Sequence, residues 1–103
     1  MRTYLDHNAT SPLRPSVKAA MLGAMDVHGN PSSIHSHGRK TRAAIEGARK
    51  SVAKLLNASP SEIFFTSGGT EADNMAIRCS IEDMGITHAI TSKIEHHAVL
   101  HTM

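Results

Sequence analysis

Residues 67–74, Ser-Gly-Gly-Thr-Glu-Ala-Asp-Asn, have the residue types and spacing of an anion-binding turn. They follow an apolar, β-prone run at residues 63–66 and precede a segment with helical spacing. Glycines let a ligand approach the backbone closely, and the first N–H groups of a helix have no partner within it. This order therefore predicts a phosphate site, with the Thr70 hydroxyl placed to donate to the same anion.

The same turn also has a purely structural interpretation. Thr70 and Asp73 approximate a capping box, which would only begin a helix. If the turn does bind phosphate, it is not a nucleotide P-loop, because G-x-x-x-x-G-K-[ST] is absent. The dinucleotide fingerprint G-x-G-x-x-G is absent as well. A short cup with one hydroxyl suits a small phosphorylated cofactor.

A group of histidines supplies the second set of candidate residues. His96 follows a second predicted strand, at the sheet edge where the 68–70 turn would also lie, and could move a proton or stack on a planar cofactor ring. The alternative is a surface histidine without a role. His97 and His101 are four residues apart, so on a helix they would share a face, which raises the question of a metal site. There is no H-E-x-x-H arrangement and no nearby cysteine, so we expect no metal.

Other polar residues have simpler interpretations. Cys79 is expected to be a small apolar filler on the packed side of its helix and not a nucleophile. Asn8 and Asn30 lie in loops where asparagine readily adopts turn conformations. His35 and His37 could cap the helix that follows them. Composition alone does not separate these structural roles from substrate contact.

The composition limits the class of protein. With one tyrosine, two phenylalanines and no tryptophan, the 103-residue chain would have to fill its interior with methionine, alanine and isoleucine. A net charge of +2 is too small to imply nucleic acid. No segment is apolar enough to span a bilayer or act as a secretion signal, and a single cysteine fits a reducing cytoplasm. We therefore expect a cytoplasmic protein that binds neither membrane nor nucleic acid.

The elements that must position these residues follow from periodicity and breaker residues. Helices are predicted at about residues 16–27 and 37–57, from the glycine turn to about residue 84, and after Glu95; strands are predicted at residues 63–66 and 86–91. A strand–helix–strand order implies a parallel pair with a right-handed crossover. Parallel strands are normally buried within a larger sheet, which two strands cannot make. The chain is thus expected to be the first part of a larger α/β enzyme.

Four segments, in this order, resemble the cysteine desulfurases, the NifS/IscS-like pyridoxal-phosphate enzymes. The segments are YLDHNATSP at 4–12, GNPSS at 29–33 with His35 and Gly38, FTSGGTEADN at 65–74, and TSKIEHHAVL at 91–100. The residues that follow His96 resemble this branch more closely than the branch that includes selenocysteine lyases. The resemblance covers nearly the whole chain.

The resemblance implies the α/β architecture of pyridoxal-phosphate (PLP) fold type I. Residues 1–30 would form an N-terminal arm and first helix on the small-domain side, and residues 31–103 would begin the PLP-binding large domain. The implied reaction converts L-cysteine to L-alanine and leaves persulfide sulfur for iron–sulfur cluster or thio-cofactor assembly. The implied partners are a sulfur-acceptor or scaffold protein and, in the complete enzyme, a second copy of the chain.

The resemblance also implies roles for individual residues. Gly69 and Thr70 would hold the cofactor phosphate, and His96 would stack on the pyridine ring and assist proton transfer. Asn30 and His35 would shape the site. The residues implied on the substrate side are Asn8, Ala9 and Thr10.

Some family residues lie beyond the positions that this chain covers. The resemblance places the cofactor-binding lysine, the acid that pairs with the pyridine nitrogen and the persulfide cysteine far downstream, and Lys93 is no substitute for that lysine. We therefore expect the 103-residue chain alone to be inactive. The alternatives are a non-catalytic interaction module that keeps a phosphate site, and the N-terminal part of a selenocysteine lyase.

Overall fold

A computed structural model describes residues 3–103, and the regular secondary structure of these residues is helical. The chain divides into two compact units, the first ending at Pro60 and the second comprising Ser61–Met103. The helices are α1 at Pro15–Met25, α2 at Ser36–Leu56, α3 at Gly69–Glu82 and α4 at His97–Leu100, with a short 3₁₀ turn at Pro60–Glu62. No described helix is both long enough and apolar enough to cross a membrane.

The bounds of the four helices confirm the predicted helical segments to within about two residues. Pro15 occupies the first position of α1, where its missing N–H costs no helical hydrogen bond. α2 ends at Leu56 because Asn57 adopts the left-handed conformation, with a φ of 53°. Helix starts and stops depend on a few neighbouring residues, so the sequence alone places them well.

The start of α2 is held by the loop before it. The His35 ring caps this helix, its Nδ1 accepting a hydrogen bond of 3.3 Å from the Gly38 N–H. Asn30 Oδ1 accepts a hydrogen bond of 2.9 Å from the Ser32 N–H, which closes a turn within the loop. A Cβ on buried Gly38 would lie 2.4 Å from the Ser33 carbonyl oxygen, so the loop packs on this helix only because residue 38 is glycine. Asn30 and His35 therefore have the structural roles expected of them.

The two predicted strands are not formed. Residues 63–66 and 86–91 contain neither helix nor strand, and the described residues contain no β-ladder. A β-strand requires a neighbouring strand to satisfy its N–H and C=O groups, and a parallel strand requires one that is distant in sequence. The helices expected of the predicted α/β class are therefore present, but the described residues do not form its parallel sheet.

Burial is slight, which corrects the expected interior of methionine, alanine and isoleucine. Among the described residues, only two apolar side chains are buried: Ala53, with 1% exposure, on α2 and Ala98, with 5%, on α4. The apolar side chains near the end of α2 are largely open to solvent, and Leu55 is 86% exposed. Within the second unit, α3 and α4 pack against each other. This pairing brings together two of the sequence segments that carry candidate site residues.

Candidate functional site

The start of α3 is the predicted anion-binding turn. Gly68 is the N-cap residue in an extended conformation, so Gly69 and Thr70 are the first two helical residues. The capping-box interpretation with Thr70 as the cap is therefore wrong. The first N–H groups of α3 point out of the helix without helical acceptors, and the helix dipole places partial positive charge there. The Thr70 side chain is exposed beside them.

The space beside the two glycines of this turn is open. A Cβ placed on Gly68 or on Gly69 would have no heavy atom within 4 Å, apart from its chain neighbours and the helix's own backbone. A ligand can therefore approach the backbone without displacing any described side chain. Outward N–H groups, the positive end of a 14-residue helix and one exposed hydroxyl form a donor set that fits a phosphate group.

Glu71, the third residue of α3, holds the chain that leads into the turn. Its Oε2 accepts a hydrogen bond of 2.7 Å from the Ser67 N–H and one of 2.6 Å from the Ser67 hydroxyl. Thr66 adds a 3.1 Å hydrogen bond from its hydroxyl to the Gly68 carbonyl oxygen. The Ser67 hydroxyl, and after it the Ser67 N–H, lowers the pKa of Glu71. This clamp was not predicted, although a glutamate at the third position of a helix that begins at glycine is the sequence signal for such a contact.

His96 lies at the start of the short helix α4. As the N-cap residue of α4, it accepts a hydrogen bond of 3.1 Å at Nδ1 from the Ala98 N–H. This bond engages Nδ1 and leaves Nε2 as the ring nitrogen that the α4 backbone does not contact. The His96 side chain is exposed, so a ligand can reach the ring.

The neighbouring histidines are arranged differently. The rings of His96 and His97 have centroids 6.0 Å apart, and their planes are inclined by 60°. His97 and His101 share a face of the last turn, with centroids 5.3 Å apart. Among residues 3–103, no group of three His, Cys, Asp or Glu side chains is arranged to hold a metal ion.

Asn74 links the helix of Thr70 to the helix of His96. Its Nδ2 donates a hydrogen bond of 2.8 Å to the Thr70 carbonyl oxygen and one of 3.4 Å to the Ala98 carbonyl oxygen. Thr70 and His96, predicted separately from the sequence, thus lie on two elements that share a side-chain bridge. No role was predicted for Asn74, because no local sequence signal indicates a contact across 24 residues.

The candidate substrate-side residues lie in the first unit, in a turn before α1. The N–H groups of Ala9 and Thr10 donate to the Asp6 carbonyl oxygen at 3.2 and 3.4 Å. The Tyr4 hydroxyl closes the same turn, donating to the Asp6 carbonyl oxygen at 2.7 Å and to the Thr10 carbonyl oxygen at 3.2 Å. Asn8 is exposed within the turn. Contact of these residues with a substrate stays a prediction.

Cys79 lies on the solvent side of α3, not among packed residues. The expectation of a buried apolar filler is wrong, because few residues of the second unit cover that helix. A hydrogen bond with Asp83 is the largest cause of a raised thiol pKa, followed by partial desolvation and the negative charges of Asp83 and Glu82. A raised pKa reduces the thiolate fraction, so the environment of Cys79 does not favour nucleophilic chemistry.

Comparison with known proteins matches residues 3–103 to the family described as aminotransferase class-V. A cysteine desulfurase IscS of Dictyoglomus turgidum is 54% identical over 101 residues, which cover 94% of this chain and 25% of that protein. A putative cysteine desulfurase IscS 1 of Bacillus subtilis is 52% identical, with 98% of this chain and 27% of that protein covered. A cysteine desulfurase IscS of Methanosarcina thermophila is 52% identical, with coverages of 96% and 25%. The chain spans about a quarter of the length of these relatives.

Proposed function

The chain belongs to the aminotransferase class-V family, and we propose that it forms the N-terminal part of a pyridoxal-phosphate-dependent cysteine desulfurase. The whole protein would convert L-cysteine to L-alanine and pass persulfide sulfur to an acceptor or scaffold protein for iron–sulfur cluster or thio-cofactor assembly. The proposal is supported by relatives of this name that are about half identical to the chain over nearly its whole length. A cytoplasmic homodimer is part of the same proposal.

The observation that carries the proposal is the start of α3, which lies in the same unit as His96. Gly69 and Thr70 supply outward N–H groups and one hydroxyl, and these would hold the cofactor phosphate. Bound PLP supplies the electron sink that amino-acid chemistry at the α-carbon needs. A dianionic phosphate is matched by the positive end of a helix, so the donor set suits this cofactor better than an uncharged one.

His96 would be the proton-handling residue of this part of the site. The hydrogen bond at Nδ1 would hold the ring orientation and leave Nε2 for contact with a ligand. A ring held by a backbone donor can stack on a planar cofactor, and proton transfer through it would use Nε2 on one side and Nδ1, released from the Ala98 N–H, on the other. Asn8, Ala9 and Thr10 would lie on the substrate side, where the turn closed by Tyr4 would keep their backbone in place.

The test joins this chain to the part of the Dictyoglomus turgidum relative that it does not match; we call the product the completed protein. Purified with PLP, it should form alanine and sulfide from L-cysteine at a rate within about tenfold of that relative, because the replaced quarter is half identical. The control is the same remainder without this chain. A folded, dimeric completed protein that binds PLP but forms no alanine would contradict the proposal, and preference for L-selenocysteine would favour a lyase.

A further inference from the structure

We propose that Asn74 is a positioning residue that sets the placement of His96 relative to Thr70. The expected effect on catalysis rests on the proposed function, whereas the hydrogen bonds of Asn74 do not depend on it. Thr70 and Asn74 lie on α3, His96 is the N-cap residue of α4, and the segment from Asp83 to Glu95 joins the two helices. A link across that segment is therefore needed to hold the histidine at a defined distance from the phosphate-binding turn.

Asn74 is suited to this link by its chemistry and its position. The amide nitrogen carries two hydrogens, so it can donate to two carbonyl oxygens at once. The 2.8 Å bond to the Thr70 carbonyl oxygen, one helical turn earlier, holds the side chain against α3. The 3.4 Å bond to the Ala98 carbonyl oxygen then reaches α4. The side chain is half-buried, so water competes less for these bonds than it does at an exposed residue.

Ala98 is hydrogen-bonded to both Asn74 and His96 and so connects them. Its N–H donates to His96 Nδ1 at 3.1 Å, and its carbonyl oxygen accepts from Asn74 and, at 2.8 Å, from the Thr102 hydroxyl. Ala98 is the buried residue of α4, so its backbone has little freedom to move. The position of its peptide groups therefore determines where the His96 ring lies.

The helix α4 needs such external support. It has four residues, and an isolated helical turn is unstable because nucleation costs more than its few hydrogen bonds return. Its geometry must come from packing on α3 and from side-chain contacts such as that of Asn74. The bond to Ala98 is long for an N–H···O contact, so we expect its loss to displace the histidine without unfolding the unit.

The test uses Asn74→Ala and Asn74→Asp in the PLP-loaded completed protein. The aspartate has nearly the size of asparagine but, when ionised, has no hydrogen to donate. The matched control is Ser80→Ala, because Ser80 makes a similar bond of 2.7 Å to the Ala76 carbonyl oxygen on the same helix and does not reach α4. Both Asn74 variants should lower kcat about tenfold through displacement of a catalytic group. PLP retention and the KM for L-cysteine should stay within about twofold, and the control should match the native protein.

A second readout does not depend on activity. Amide hydrogen exchange of the peptide covering residues 96–103 should become about tenfold faster in both Asn74 variants and stay unchanged in Ser80→Ala, with or without PLP. An Asn74→Asp protein that behaves as native while Asn74→Ala does not would overturn the inference in favour of simple space filling. Unchanged hydrogen exchange at residues 96–103 in both Asn74 variants would also overturn the inference. This exchange can be measured even if the completed protein is inactive, so failure of the inference is distinguishable from failure of the proposed function.

Discussion

The Glu71 carboxylate accepts two hydrogen bonds from Ser67, one from its N–H at 2.7 Å and one from its hydroxyl at 2.6 Å. These bonds tie the residue before the glycine turn to the first turn of α3. They also place a negative charge at the positive end of the helix, where it is favourable. The glycine turn between the two residues is therefore held in shape by a carboxylate, while its outward N–H groups stay open.

The first prediction concerns the pH dependence of this clamp. The hydrogen bonds from Ser67 lower the pKa of Glu71 in the folded chain below the usual glutamate value. A lowered folded pKa means that the stabilisation is fully present above the unfolded pKa and is lost as the pH falls through the folded one. NMR titration of the Glu71 carboxyl carbon should give a lower midpoint than the same titration of a glutamate in an unstructured peptide.

The control for that titration is Ser67→Ala. It removes the hydroxyl, which is the larger cause of the lowered pKa, and keeps the N–H donor. The midpoint of Glu71 should therefore move upward but not completely to its usual value. A midpoint at or above the usual value in the native chain would show that the clamp does not form in solution.

The second prediction concerns Thr70→Ala in the completed protein. If the hydroxyl donates to the cofactor phosphate, its loss removes one charge-assisted hydrogen bond, and PLP binding should weaken by about 1.5–3 kcal/mol. Absorbance titration of the cofactor-free protein with PLP measures this change. Ser80→Ala is the control, because the Ser80 hydroxyl bonds to the Ala76 carbonyl oxygen further along α3 and lies outside the glycine turn. Equal affinities of the native and Thr70→Ala proteins would remove Thr70 from the phosphate site.

The third prediction separates two functions of His96. Its ring caps α4 and, under the proposed function, faces the cofactor. Asparagine is a good N-cap residue, so His96→Asn should keep α4 intact while the ring is lost. It should lower kcat by a factor of about 10²–10⁴ and change the cofactor absorbance spectrum.

His97→Ala is the companion variant for this test. His97 is the first residue of α4, and its ring is inclined by 60° to that of His96. Its loss should leave kcat and the spectrum nearly unchanged. Equal damage from the two substitutions, or greater damage from His97→Ala, would move the catalytic assignment away from His96.

The fourth prediction concerns Gly38→Ala. The added methyl group would lie 2.4 Å from the Ser33 carbonyl oxygen and 2.6 Å from the Asn30 carbonyl oxygen, and backbone atoms cannot move aside as the end of a side chain can. The free energy of unfolding should fall by about 1–3 kcal/mol. On the same helix, Gly47→Ala meets no atom within 4 Å and should raise the free energy of unfolding by up to about 1 kcal/mol. Urea denaturation followed by circular dichroism measures both, and a harmless Gly38→Ala would mean that the loop does not pack on α2.

The amino-acid sequence by itself determined the helices and the location of the turn. Pro15, Asn57 and the glycines at 68 and 69 act on the few residues next to them, so their effects can be predicted without knowledge of distant contacts. The His35 cap was predictable for the same reason. Family membership was also apparent from the sequence, because the motifs keep their order and spacing along nearly the whole chain.

Only the tertiary structure decided which groups meet. The bond from Asn74 to Ala98 crosses 24 residues and joins α3 to α4. The exposure of Cys79 and the absence of a β-ladder at residues 63–66 and 86–91 depend likewise on which other segments lie alongside. The physical reason is that helical hydrogen bonds join residues four apart, whereas burial, strand pairing and bridges between helices require partners whose positions local sequence does not specify.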